Sequence, residues 1–271
     1  MDTFTETTRK EEAPLLDLQH VEISYNRIPV VHDMSLKMKP GEILGIVGES
    51  GSGKSTVIKA AMGLLGKNGA VTRGDIYYKG FNVLDAKGEE LRRMRGPQMG
   101  MIFQNTGASL CPIRNIEEQL YESVLQHEEV SRQEIRDRAL DLFDKMKLKD
   151  GARILKSYPF ELSGGMNQRV GIMMAMVLKP KLLFADEPTS ALDVTVQAQV
   201  VREMVHMREL FGTGIAIVTH NIGVVEYMAD KVAVMYQGNL VEYGTVKDVI
   251  YNPQEAYTKK LIGSVLRINR G

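Results

Sequence analysis

The chain has 271 residues, with 34 Lys and Arg against 34 Asp and Glu, so it carries no net charge that would favour nucleic acid or an anionic membrane. Its one cysteine, Cys111, reads as an inert thiol; it excludes an intrachain disulfide and makes a reducing compartment the default. The longest apolar run, Val170 to Leu178 with Gly171 inside it, is too short to span a bilayer. Residues Met1 to Pro14 are polar, lack the apolar stretch of a secretory signal and are expected to form a disordered tail. Leu16 to Tyr25 alternates apolar and polar with one slip of phase, which predicts an antiparallel strand with a bulge. Val30 to Met38 predicts its neighbour, and Lys39-Pro40-Gly41-Glu42 predicts a type II turn leading into an apolar strand, Ile43 to Val47. A helix is expected over Thr56 to Met62, then strands at Gly74–Tyr78 and Met99–Phe103, the second ending at Gln104.

From about Gly107 to Leu178 the pattern is helical. Ser131 to Glu134 reads as a capping box, followed by Ile135, Ala139, Leu142, Phe143 and Met146 at helical spacing. Strand signals return at Leu182–Asp186, Ile215–Val218 and Val232–Tyr236. Helices are expected over Val194–Phe211 and from near Asn221. Strands alternating with helices predict a mostly parallel sheet in an α/β fold.

Gly48-Glu49-Ser50-Gly51-Ser52-Gly53-Lys54-Ser55 fits G-x-x-x-x-G-K-[ST], the phosphate-binding P-loop. Glycines let successive backbone N–H groups face one concavity. Lys54 adds a charge for the β- and γ-phosphates, and the Ser55 hydroxyl is placed for Mg²⁺. The following helix directs its N-terminal dipole at an anion. Leu182 to Asp186 is an apolar strand ending in an acid, with Glu187 next. Such a strand end sits beside a P-loop, so Asp186 would hold Mg²⁺ and Glu187 would polarise the attacking water. Solvated loop acids are the plainer reading, disfavoured by Pro188 and by a strand with no polar face. Leu162-Ser163-Gly164-Gly165 opens a helix, and alone it would be an ordinary Ser-capped start. Beside a P-loop and an Asp-Glu strand end it reads as a second anion site. Met166, Met173, Met174 and Met176 read as core packing, not as a metal site.

Together these stretches resemble the nucleotide-binding subunit of an ABC transporter, over about Leu15 to Tyr257. Leu162 to Arg169 is similar to the family's signature motif. The A-loop aromatic falls on Tyr25, the Q-loop glutamine on Gln104, the D-loop on Ser190-Ala191-Leu192-Asp193 and the switch histidine on His220. Asn221 and Asn167 depart from the family's more frequent residues, without touching the expected chemistry. The resemblance implies a P-loop NTPase (RecA-like) core with an antiparallel β subdomain and an inserted α-helical subdomain at about 107–178. The ATPase domain would run 15–250 and a short extension 251–271. It implies ATP and Mg²⁺ as cofactors. Gly48, Ser50, Gly51, Gly53, Lys54, Ser55 and Thr56 would bind nucleotide, and Tyr25 would stack on adenine. Ser55, Gln104 and Asp186 would serve the metal, and Glu187, His220 and Gln104 the hydrolysis. Ser163, Gly164, Gly165 and Asp193 would complete the ATP site of a second subunit.

Phe103 to Pro112, Tyr158 to Glu161 and Asn252 to Leu261 resemble elements of the peptide/nickel importer branch, the first with Cys111 in place of Asn. The resemblance implies a subunit peripheral to the cytoplasmic face of the membrane, powering uptake of a peptide or chelated nickel. Its partners would be a second ATPase, paralogous or identical, two transmembrane permeases and, indirectly, a substrate-binding protein, with no nucleic acid. Asn105 to Pro112 would face the permease, with Leu110 on the docking surface. A soluble ABC-type ATPase acting on nucleic acid or ribosomes, and a nucleotide-binding regulator that does not hydrolyse, are the rival readings. Long coiled coils or tandem ATPase units are lacking for the first, and Glu187 with His220 speaks against the second.

Overall fold

The computed structural model describes residues 13–264. Most of the expected N-terminal tail, and residues 265–271 of the expected extension, lie outside the described residues. Strands β1 (Leu16–Tyr25) and β2 (Ile28–Met38) pair antiparallel. The register of β1 shifts around His20, whose φ of 52° is left-handed, which accounts for the slip in its alternation. The Lys39–Glu42 turn closes with the Glu42 N–H on the Lys39 carbonyl at 3.2 Å and Gly41 at φ 68°. It delivers β3 (Ile43–Gly48), which leads through the glycine-rich loop into α1 (Lys54–Ala61).

Next come β4 (Gly69–Tyr78), β5 (Phe81–Asn82), α2 (Glu89–Met94) and β6 (Met99–Ile102). Five helices follow: α3 (Thr106–Ser109), α4 (Ile116–Leu125), α5 (Arg132–Lys145), α6 (Gly151–Lys156) and α7 (Gly164–Met176). The chain then alternates through β7 (Leu182–Asp186), α8 (Val194–Phe211), β8 (Gly214–Val218), α9 (Ile222–Met228) and β9 (Lys231–Tyr236). It ends with β10 (Asn239–Thr245) and α10 (Ala256–Gly263).

The strands form one sheet in the order β5-β4-β1-β2-β10-β9-β3-β8-β7-β6. From β9 to β6 every pairing is parallel, whereas β5, β4, β1 and β2 are antiparallel. The halves meet where β10 touches β2 through the single pair Asn239–His32. Strands β3, β7 and β8 are buried along their whole length, as apolar runs in a sheet covered on both faces should be. Leu182 and Phe184 pack with Val57 and Ile58 of α1 on one face; Leu183 and Ala185 pack with α7 and α8 on the other.

The helical stretch packs onto one face of the sheet in a continuous core. Ile116, Leu120, Ile135, Ala139, Phe143, Ile154 and Leu155 pack against Val170 and Met173 of α7. The predicted capping box at α5 is half formed: the Ser131 hydroxyl accepts the Glu134 N–H at 3.1 Å, but the Glu134 carboxylate turns to Arg138 at 2.6 Å. An ion pair within reach outcompeted the reciprocal cap. Strand β10 and helix α2 carried no periodic signal. β10 is half-buried along most of its length, and α2 buries no residue.

Helix α7 is fastened to α8 by an ion pair inside the protein: Arg169 Nε donates to Glu203 Oε2 at 2.9 Å, and Arg169 Nη2 donates to the Met146 carbonyl at 2.6 Å. Burial pushes the Glu203 carboxyl up, and the Arg169 guanidinium opposes that shift. Removing one partner leaves the other charge buried and uncompensated. Glu203→Ala is therefore expected to lower unfolding stability by about 3–5 kcal/mol, read from the urea midpoint.

Candidate functional site

The site begins where β3 stops. Gly48 has φ 148°, and a Cβ there would lie 2.0 Å from the Met235 carbonyl oxygen of β9, so no other residue fits. Gly51 and Gly53 follow at φ 80° and 95° and turn the chain back over the start of α1. Gly53 caps α1 with no side-chain hydrogen bond, which leaves the first-turn N–H groups to an incoming acceptor. Lys54, buried, donates its Nζ to the Gly48 carbonyl at 2.8 Å and the Glu49 carbonyl at 2.6 Å. Burial pulls its ammonium down from the ordinary lysine value; Glu187, Asp186 and Glu49 act in the opposite direction.

The parallel register of β7 and β8 places the acids. Asp186, the last residue of β7, is buried, and its Oδ1 accepts the Ser55 hydroxyl at 2.6 Å. Glu187 takes a left-handed φ of 47°, with its N–H donated to the Val218 carbonyl at 2.8 Å. That turn swings its side chain to His220, beyond the end of β8. His220 Nδ1 and Glu187 Oε1 are hydrogen-bonded at 3.0 Å. The Glu187 side chain is 13% exposed and that of His220 is 67% exposed. Glu187 Oε2 lies 3.0 Å from the same nitrogen, so the imidazole faces both carboxylate oxygens.

An open cleft of about 590 Å³ gathers Ser50, Gly51, Gly53, Lys54, Ser55, Thr56, Gln104, Glu187 and His220, with Val30 of β2 as an apolar wall. Val30 escaped the sequence reading because strand alternation alone does not say which cleft a residue borders. The donors present fit a hard divalent cation: a hydroxyl against a carboxylate, with the Gln104 amide on the rim and the Glu187 carboxylate in the same cleft.

Other predicted site residues stand outside this cleft. Tyr25 ends β1 and packs on Gly69, where an added Cβ would lie 2.7 Å from its ring. Ser163 caps α7 by accepting the Met166 N–H at 3.3 Å, and the space above the exposed Gly164 is open. Asp193 caps α8, accepting the Thr195 and Val196 N–H groups at 3.0 Å. Leu110 requires a correction. It is 7% exposed and part of the core beneath the helices, not an exposed docking residue. The turn of α3, capped by Asn105 on the Ala108 N–H at 3.0 Å, carries the chain inward at that point. Phe103, 44% exposed, lines a cleft of about 270 Å³ with Met101, Met174 and Leu178, and the buried Leu110 borders the same cleft.

A family profile described as ABC transporter matches residues 31–190. The chain belongs to the ABC transporter family. It is an ATP-binding subunit of that family and an ATPase. The dipeptide transport ATP-binding protein DppD of Lactococcus lactis subsp. cremoris is 40% identical over 259 residues, 94% of this chain and 74% of that protein. The oligopeptide transport ATP-binding protein OppD of Salmonella typhimurium is 40% identical over 274 residues, 98% of this chain and 82% of that one. Among solved structures, a post-hydrolysis dimer of the ATP-binding cassette MJ0796 with ADP and Pi superposes with a TM-score of 0.75 at 28% identity, covering 85% of this chain and 98% of that one. cbiO1 from Clostridium perfringens, at 24% identity and a TM-score of 0.78, covering 89% and 92%, shares the fold.

The position of Lys54 yields a direct test. Lys54→Ala removes a charge-assisted contact worth about 1.5–3 kcal/mol. ATP affinity, measured by nucleotide titration, should fall roughly ten- to hundredfold.

Proposed function

We propose that this chain hydrolyses ATP to power import of peptides across the cytoplasmic membrane, as a peripheral subunit on its inner face. The carrying observation is the Glu187–His220 pair in the cleft, 3.0 Å apart, opposite the Lys54 cradle. Peptide as cargo, in preference to nickel, is supported by relatives about 40% identical over nearly the whole chain, whose names specify dipeptide and oligopeptide transport.

The chain's own residues divide the work. The N–H groups of the glycine-rich loop and Lys54 receive the phosphates. Ser55, Asp186 and Gln104 would hold Mg²⁺, which supplies neutralisation of charge on the phosphate oxygens. Glu187 accepts the proton of, or orients, the attacking water, and His220 keeps its carboxylate in place. The open Ser163-Gly164-Gly165 helix start and Asp193 lie outside the cleft, consistent with their serving the ATP of a second ATPase subunit. Each ATP would lie between the two ATPase subunits; hydrolysis then reopens the pair and moves two permease subunits, to which a substrate-binding protein delivers the cargo.

Glu187→Gln keeps the shape of the side chain but removes its basicity. It is expected to retain ATP binding, to lose about 10²- to 10⁴-fold in turnover and to trap a closed dimer, read by phosphate release and by size in the presence of ATP. Wild-type turnover would remove Glu187 from the role.

The exposed Phe103 ring beside Gln104 is our candidate for the permease contact. A charge there would be desolvated and unpaired on docking. Phe103→Asp should therefore leave ATP binding intact while releasing the permeases in pull-down or abolishing peptide uptake. Normal assembly together with normal uptake would place the contact elsewhere.

A further inference from the structure

The Asn252–Leu261 element has no part in the chemistry above, yet it reaches the ATP cradle. The Tyr257 hydroxyl accepts the N–H of Glu49, the second residue of the glycine-rich loop, at 3.1 Å across 208 positions of sequence. On the same residue, the carbonyl accepts Lys54 Nζ at 2.6 Å. Glu49 is thus tied at both its N–H and its C=O.

The Tyr257 ring is itself held. It stacks on Tyr236 with centroids 4.2 Å apart and planes at 29°. Tyr236 follows Met235, which pairs with Gly48 and whose carbonyl leaves that glycine no room for a side chain. The start of α10 is pinned from below: the Glu242 carboxylate of β10 accepts the Gln254 N–H at 2.8 Å and the Glu255 N–H at 3.3 Å. Ile262 and Tyr257 pack in one apolar cluster with Val47, the residue that precedes the loop.

We propose that Tyr257 is a positioning residue for ATP binding, fixing the entry of the glycine-rich loop before nucleotide arrives. The proposal rests on the reading of Gly48 to Ser55 as the ATP cradle. A glycine-rich loop left to itself samples many conformations, and ordering it on binding costs affinity. Lys54 restrains the Glu49 carbonyl, but Lys54 is also the group the phosphates engage, so that restraint depends on nucleotide. Tyr257 stands outside the residues that line the cleft, so its hold on the N–H does not draw on a group the phosphates engage.

Tyr257→Phe keeps the ring and its stack and deletes only the hydroxyl. In the full chain, the KM for ATP should rise about two- to tenfold, with kcat at saturating ATP and the melting temperature unchanged. In the nucleotide-free protein, hydrogen exchange at the Glu49 amide should accelerate. An unchanged KM, or an unchanged Glu49 exchange rate, overturns the proposal. A lowered melting temperature with unchanged exchange would assign Tyr257 to the fold alone and also overturn it. Lys54→Ala separates the two levels. If it too binds ATP normally, the cradle reading fails; if it binds weakly while Tyr257→Phe matches wild type, only the role of Tyr257 fails.

Discussion

At Gly48 the end of β3 runs so close to the Met235 carbonyl of β9 that a Cβ would sit 2.0 Å from the oxygen. This contact sets the direction in which the chain leaves the sheet. The loop can then curl over the start of α1, bury Lys54 and bring Ser55 within 2.6 Å of Asp186 on β7. A residue with a side chain at 48 would force β3 and β9 apart, and the strands that carry the other half of the cleft pair in order beyond β3.

Those strands explain why widely separated residues meet. β3, β8 and β7 are adjacent and parallel, so their C-terminal ends open on the same edge, where ligands of open α/β sheets bind. Glu187 and His220 are 33 positions apart in sequence, but each lies just beyond the end of one of two neighbouring strands. The left-handed turn at Glu187 supplies the last rotation, aiming the carboxylate at the imidazole instead of along the strand. A strained backbone at a non-glycine residue persists only when its surroundings hold it, and here the Val218 carbonyl does.

Much of this was legible locally. The glycine-rich loop shows itself because its backbone conformations demand glycine at fixed spacing, and the buried strands because an unbroken apolar run has few other uses in a covered sheet. Helix α8 matches its expected span, Val194 to Phe211, because Asp193 and Gly212 mark its ends by chemistry that needs no distant partner. Where the surroundings decide, the reading fell short. β10 lacks alternation because it is neither buried nor exposed; it joins the two halves of the sheet by lying between β2 and β9. Leu110 looked like a surface residue among small neighbours, but the turn of α3 drives it into the core.

Residue order alone reveals the chemistry on offer: a phosphate cradle, an acid pair behind an apolar strand and a helix opening with Ser and two glycines. These are set by residue type and short spacing, which survive in one dimension. Which of them share a cleft depends on the folded arrangement. It put Lys54, Ser55, Gln104, Glu187 and His220 around one opening, left Tyr25, Ser163, Gly164, Gly165 and Asp193 outside it, and laid the Tyr257 hydroxyl on the Glu49 amide. The reason is physical: strand order and helix docking are chosen by burial of apolar surface over the whole chain, a sum that no single stretch contains.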